Sequence, residues 1–169
     1  GKEGKELEQK IIQKRKEYGM RIIGPNCIGV MRPSSKLNMS FLRKRPTEGE
    51  VAFISQSGAM GSAILDWSEE ANVGFSSFVS VGNMIDVDFG DLIDYFGQDP
   101  KTGSIIMYME SVSDAKKFMS AASSFSRSKP IMVIKSGKYA KSAEAVSSHT
   151  GSLAGEDTVY NAAFKRAGI

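Results

Sequence analysis

Val51-Ala52-Phe53-Ile54-Ser55-Gln56-Ser57-Gly58-Ala59-Met60 is the stretch whose reading decides the fold. Val51 to Ser55 is an apolar run of strand length, Gln56-Ser57-Gly58 breaks it, and Met60, Ile64, Trp67 and Ala71 then recur at helical spacing. The alternation continues downstream. Phe75 to Val81 reads as a second strand, followed by Gly82-Asn83 and a helix marked by Phe89, Leu92, Ile93 and Phe96. Ser104 to Met109 is a third strand, and the helix after it turns Ala115, Phe118, Met119 and Ala122 inward. Pro130 to Ile134 is the fourth, and a last helix from Asp157 to Ala167 carries Tyr160 and Phe164 one turn apart. Apolar, β-branched strands that are each followed by a helix call for a parallel sheet covered on both faces. The predicted class is α/β, a doubly wound parallel sheet.

Upstream, Glu6 to Tyr18 carries Leu7, Ile11 and Tyr18 on one stripe among charged residues and reads as an amphipathic surface helix ended by Gly19. Met20 to Ile23 is expected to form a short strand that stops at the turn Gly24-Pro25-Asn26. Cys27 to Thr47 is irregular, a connecting segment with one extended pair. These features predict three parts: residues 1–23 as the tail of a preceding domain, 24–49 as a linker, and 50–169 as the main domain. With no initiating methionine, and with Ile169 standing where another strand could begin, truncation at both ends is expected.

Composition narrows the function. The 22 basic and 19 acidic residues are mixed along the chain, giving a net charge of +3 and no dense basic face for nucleic acid. Arg43-Lys44-Arg45 is the tight basic cluster, and a solvated loop accounts for it. The single cysteine, Cys27, excludes an internal disulfide and a structural zinc site built on cysteines, argues against metal binding by sulfur, and suits a reducing, cytoplasmic setting. No run of about 18 apolar residues marks a membrane span, and the charged start Gly1-Lys2-Glu3-Gly4-Lys5 is not expected to be a signal peptide.

In a doubly wound sheet, ligands bind at the carboxyl ends of the strands. There stand Ser55-Gln56-Ser57-Gly58, Val81-Gly82-Asn83, Glu110-Ser111 and Lys135-Ser136-Gly137. Ser57-Gly58 can seat an anion on free helix amides, or Ser57 can simply cap the helix. Neither a P-loop nor a dinucleotide fingerprint is present, and Ser55 and Ala59 stand where a hydrolase elbow would need glycines around Ser57. Glu110 can orient an imidazole from the crevice or lie solvated beside the next helix. Cys27 is a small buried hydrophobe or a group near a thioester site. Met84, Met107 and Met109 read as core filling. Residues 136–156 form a connection roughly twice the usual length. Within it lies Ser147-Ser148-His149-Thr150-Gly151-Ser152-Leu153-Ala154-Gly155, which holds the chain's one histidine. A tethered carrier or a flexible linker would both look like this.

Gly24-Pro25-Asn26-Cys27-Ile28-Gly29, Ile54-Ser55-Gln56-Ser57-Gly58-Ala59 and the His149 stretch, in this order, resemble the NDP-forming acyl-CoA synthetases, relatives of the succinyl-CoA ligase α subunit. The likeness runs from about Tyr18 to Ile169. It implies a flavodoxin-like, succinyl-CoA ligase-like domain preceded by the tail of a CoA-binding Rossmann domain. It also implies a relay in which acyl-CoA and phosphate give acyl phosphate and CoA, a loop histidine takes the phosphoryl group, and ADP or GDP on an ATP-grasp domain receives it. His149 matches that histidine and Glu110 the carboxylate that orients it. Ser57, Gly58 and Gly151 match phosphate-binding positions, and Asn26 and Cys27 match a turn near the acyl-CoA site. Coenzyme A and ADP/ATP or GDP/GTP are then substrates, with Mg2+ expected on the grasp domain and no metal site in this chain. The implied partners are the CoA-binding and ATP-grasp domains, the full-length form being an oligomer, and this part alone should not turn over. The alternative is a regulatory module that senses acyl-CoA or nucleotide in a protein acetyltransferase-type fusion.

Overall fold

The computed structural model describes residues 2–137 and 157–169. Helix α1 (Lys2–Tyr18) precedes a hairpin of β1 (Gly29–Arg32) and β2 (Leu37–Ser40), joined by a 3-10 turn at Pro33–Ser35. Then come β3 (Glu48–Ser55), α2 (Gly58–Glu70), β4 (Phe75–Ser80), α3 (Phe89–Gln98), β5 (Ser104–Met109), α4 (Ala115–Phe125), β6 (Ile131–Lys135) and α5 (Asp157–Ala167). The four strand–helix units agree with the sequence to within a few residues at each end. Among the described residues no helix is long and apolar enough to cross a membrane.

The six strands lie in the order β2-β1-β4-β3-β5-β6. β4, β3, β5 and β6 are parallel, whereas β1 runs antiparallel to both β4 and β2. The four strands expected from the sequence are parallel as predicted, and the hairpin adds an antiparallel pair at one side that makes the whole sheet mixed. Residues 24–49, expected as a linker, add two strands to it: Val30 pairs with Val79 and Met31 with Phe78. Met31 is buried beside Phe53, Phe75 and Phe78, and Arg32 reaches Asp99 at 3.0 Å, so contacts remote in sequence hold the hairpin. Met20 to Ile23, expected as a strand, is irregular. Its polar partners belong to a loop: the Ile22 amide donates to the Asp86 carboxylate at 2.7 Å and Val87 donates to the Ile22 carbonyl at 3.1 Å.

Two apolar layers cover the sheet. On one face α3, α4 and α5 bury Phe89, Ile93, Phe96, Phe118 and Ala122 against Ile54, Val79, Ile105, Met107 and Met109. The other face holds Phe53, Phe75 and Phe78 beneath Leu65 of α2. α2 is rotated relative to the expected stripe: Trp67 is 55% exposed, while Gly61, Leu65 and Ser68 face inward. A Cβ on Gly61 would stand 3.1 Å from the Phe78 ring, so the missing side chain is what lets the helix approach. Ser68 tolerates burial by donating to the Leu65 carbonyl at 2.8 Å. Ala115 at the start of α4 and Leu7, Ile11 and Tyr18 of α1 are also exposed.

β3 is followed through α2 by β4 on one side, and the next crossover carries the chain to β5 on the other. The order thus reverses at β3, and a switch-point crevice opens at the carboxyl ends of β3 and β5.

Buried carboxylates fasten the periphery. Asp86, whose side chain is 4% exposed, binds Arg15 at 2.6 Å and Arg21 at 3.0 Å. Burial alone would raise its pKa, but hydrogen bonds from Arg15, the Ile22 amide and Arg21 outweigh that and hold it below the ordinary carboxylate value. Asp99 is lowered in the same way, burial being outweighed by Arg32, the Lys101 amide and Thr102. A folded-state pKa below the unfolded one contributes stability that is present above the unfolded value, about pH 4, and is lost as pH falls through the folded value. Thermal unfolding followed from pH 7 to pH 3 should therefore show a melting temperature that falls below about pH 4. Asp86→Asn should make that acid limb shallower and lower the melting temperature at pH 7.

Candidate functional site

The switch-point crevice is an open cavity of about 740 Å³. Asn26, Cys27, Ser57, Gly58 and Glu110 all line it, so the described residues that the resemblance assigns to the site meet there. His149 and Gly151 lie outside the described residues.

The Ser57 end is built by local chemistry. Ser57 is extended (φ −94°, ψ 121°) and its hydroxyl accepts from the Met60 amide at 3.3 Å, which makes it the N-cap of α2. Both readings of this serine are compatible, because the cap satisfies one amide of the first turn and the remaining ones have no helical partner. Gly58 and Ala59 border the cavity at this positive end of the helix. Ser55, fully buried, donates to the Ser57 carbonyl at 2.7 Å and accepts from the Ser57 amide at 3.2 Å, shaping the turn. Ser57→Ala is expected to cost about 1 kcal/mol in urea unfolding, and Ser57→Asn, which also caps, should recover most of it.

Glu110 directly follows β5, is 9% exposed and lines the cavity, so it is not the solvated residue of the alternative reading. Its backbone amide and that of Ser111 both donate to Gln56 Oε1, at 2.7 and 2.9 Å. The helix after it is capped by Asp114, which accepts from the Lys117 amide at 3.0 Å.

The third wall is the Gly24-Pro25-Asn26-Cys27 turn. The Gly24–Pro25 bond is cis, Asn26 takes φ 56°, and the Asn83 amide donates to the Pro25 carbonyl at 2.9 Å. A Cβ on Gly82, itself at φ 53°, would lie 2.1 Å from the Pro25 carbonyl oxygen, so only glycine lets the two turns touch. The Asn26 side chain donates to Asn83 Oδ1 at 3.3 Å, and the Ile28 amide donates to the buried Ser80 hydroxyl at 3.0 Å. Cys27 is half-buried with its thiol 3.6 Å from the Ile23 carbonyl. Burial pushes the thiol pKa up, partly offset by backbone hydrogen bonds, so at neutral pH it is a thiol and a poor nucleophile.

Of the four strand-end segments, the first three line the crevice and Lys135-Ser136-Gly137 does not. Lys135 stacks on Tyr160 with its amine 4.7 Å from the ring centre, and burial pushes its pKa down against opposing pulls from Asp157 and Glu110. Glu8, Ile28 and Phe41 also line the cavity. No local pattern marks Glu8 or Phe41; they come from α1 and from the end of the hairpin, brought in by tertiary folding.

The crevice combines the N-terminus of a helix, a buried carboxylate and a turn of uncharged residues. It can hold a phosphate-like anion at one wall and stabilise a cation, such as an imidazolium, beside Glu110.

Residues 48–169 match the succinyl-CoA ligase-like flavodoxin domain family. The whole chain is 47% identical to the α subunit of the ADP-forming acetate–CoA ligase I of Pyrococcus furiosus, of which it spans 37%. It is 48% identical over 164 residues, 97% of its length, to the ADP-forming acetate–CoA ligase of Methanocaldococcus jannaschii, spanning 23% of that protein. Among solved structures, the Ca. Korarchaeum cryptofilum dinucleotide-forming acetyl-coenzyme A synthetase 1, in complex with phosphate and ADP, superimposes with a TM-score of 0.92 at 45% identity, covering 97% of this chain and 36% of that one. The chain thus spans 23 to 37% of the length of these three proteins.

Proposed function

The chain belongs to the succinyl-CoA ligase-like flavodoxin domain family, and from that premise we propose that it is the phosphoryl-carrying domain of an NDP-forming acyl-CoA synthetase. The observation that carries this reading is the meeting of Ser57-Gly58, Glu110 and the Asn26-Cys27 turn in one crevice at the switch point. Those groups suit three successive needs: an anion seat, an orienting carboxylate and a wall beside a thioester.

In the reaction, a phosphate oxygen attacks the thioester carbonyl of an acyl-CoA, the C–S bond breaks, and CoA leaves as its thiol. A ring nitrogen of His149 then attacks the phosphorus of the acyl phosphate, the P–O bond to the acyl group breaks, and the carboxylate departs. Finally the terminal phosphate oxygen of ADP or GDP attacks the phosphohistidine, the P–N bond breaks, and NTP forms. The chain's own residues supply the electrostatics. The α2 terminus beginning at Ser57-Gly58 holds the dianion, and Gly151 is assigned to the same phosphate. Glu110 accepts a hydrogen bond from the N–H of the imidazole, orients the ring and stabilises the positive charge that develops on it. A ring with an ordinary pKa is largely neutral near pH 7 and therefore nucleophilic.

The CoA-binding and nucleotide-binding parts are assigned to other domains or subunits. Residues 1–23 are read as the tail of the former, and Mg2+ as bound with the nucleotide on the latter. The test combines this chain with those domains, as they occur in its full-length protein, and supplies labelled phosphate with an acyl-CoA. Label that is stable in alkali and lost in acid, and that is chased into NTP by added ADP or GDP, is the expected result. A protein that hydrolyses acyl-CoA or exchanges phosphate without ever carrying label would overturn the proposal.

A further inference from the structure

We propose that Gln56 is a positioning residue, whose carboxamide ties the Glu110 loop to the start of α2 and sets the spacing across which the phosphoryl group moves. This inference rests on the relay reading above. Gln56 Oε1 accepts from the Glu110 amide at 2.7 Å and from the Ser111 amide at 2.9 Å, and Nε2 donates to the Ser111 hydroxyl at 3.3 Å. Its own backbone amide donates to the Tyr108 carbonyl at 3.1 Å. One residue at the end of β3 therefore makes four hydrogen bonds to residues 108–111 at the end of β5. Two converging backbone N–H groups require an acceptor, so the chemistry itself assigns which end of the amide faces them.

The residue type is demanding. Asparagine is one methylene too short to span the two loops, and leucine fills the space but accepts nothing. Glutamate accepts both amides but cannot donate to Ser111. The start of α2 does not depend on this link, because Ser55 holds Ser57 by its own two hydrogen bonds. Loss of the Gln56 carboxamide should accordingly release the Glu110 loop while leaving the anion seat shaped. The chemical step should slow and phosphate affinity should hardly change, since a misplacement of about 1 Å can cost on the order of a hundredfold in rate without removing a binding contact.

The test uses the full-length protein that carries this chain. In Gln56→Leu, the Glu110 and Ser111 amides should exchange hydrogen faster than in wild type. The rate of phosphoprotein formation should fall about tenfold or more, with the KM for phosphate within about twofold. Gln56→Glu, which keeps both acceptor contacts and serves where the leucine variant does not fold, should restore amide protection and recover part of the rate. Because Gln56 acts through Glu110, the double variant Gln56→Leu/Glu110→Gln should be no more than about twofold slower than Glu110→Gln alone. Unchanged exchange at Glu110 and Ser111 would overturn the inference, as would slowing that multiplies in full in the double variant. If wild type takes up no label, the relay reading falls and the inference falls with it. A labelled wild type whose rate is indifferent to Gln56→Leu overturns the inference alone.

Discussion

His149→Asn in the full-length protein is expected to take up no alkali-stable phosphate and to lose acyl-CoA-dependent NTP synthesis by about 10⁴-fold or more, the scale on which removing a covalent carrier acts. Asparagine keeps polarity and local hydrogen bonding but offers no nitrogen lone pair able to attack phosphorus. Phosphate binding should survive, because the α2 terminus at Ser57-Gly58 is untouched, and equilibrium binding of labelled phosphate checks that. The stability pattern is part of the result. A phosphoramidate is labile in acid and stable in alkali, whereas a phosphoserine has the opposite behaviour, so residual label in this variant can be assigned by chemistry. Label that persists with histidine-like stability would remove His149 from the relay.

Glu110→Gln is expected to slow phosphoprotein formation about a hundredfold, within the range that positioned acid–base groups contribute. The exchange is isosteric, so in the proposed relay a glutamine could still accept the orienting hydrogen bond but would lack the negative charge assigned to stabilising the imidazolium. Phosphate should bind as well or better, because a carboxylate that lines the anion's cavity no longer repels it. The two parameters therefore move differently: kcat falls and the KM for phosphate stays level or drops. Thermal unfolding separates this from misfolding. Removing a buried carboxylate that is 9% exposed should leave the melting temperature unchanged or raised. Wild-type rates in this variant would leave Glu110 without a role in the chemistry.

Much of the crevice was legible as separate segments. Ser57-Gly58 and Glu110 stand at strand ends because the period changes from strand to helix after Ser55 and from strand to turn after Met109, and both changes are local patterns. The buried methionines were legible for the same reason: Met84, Met107 and Met109 all have at most 7% exposure. The hairpin was legible only as an unspecified extended pair. Each of its strands is four residues long, too short to set a period, and its place in the sheet depends on Met31 among three phenylalanines and Arg32 at Asp99. Trp67 was misplaced because helical spacing selects large apolar residues, while the real contact needed the small Gly61 against Phe78. Met20 to Ile23 looked like a strand because it is short and apolar. Its amide at Ile22 is claimed by a carboxylate 64 residues away.

Local periodicity and turn chemistry act between neighbours in the chain, and by themselves they determined the four strand–helix units, the doubly wound class, the Ser57 cap and the residues from which chemistry could be built. What only the tertiary structure decided was how those residues meet. The antiparallel hairpin, the reversal of strand order at β3, the contact of Gly82 with the Gly24-Pro25-Asn26 turn and the Gln56 link to Glu110 all join groups that are distant in sequence. Such contacts depend on burial and hydrogen-bond satisfaction between elements already formed, and a linear pattern carries no record of which partner an amide or a carboxylate will find.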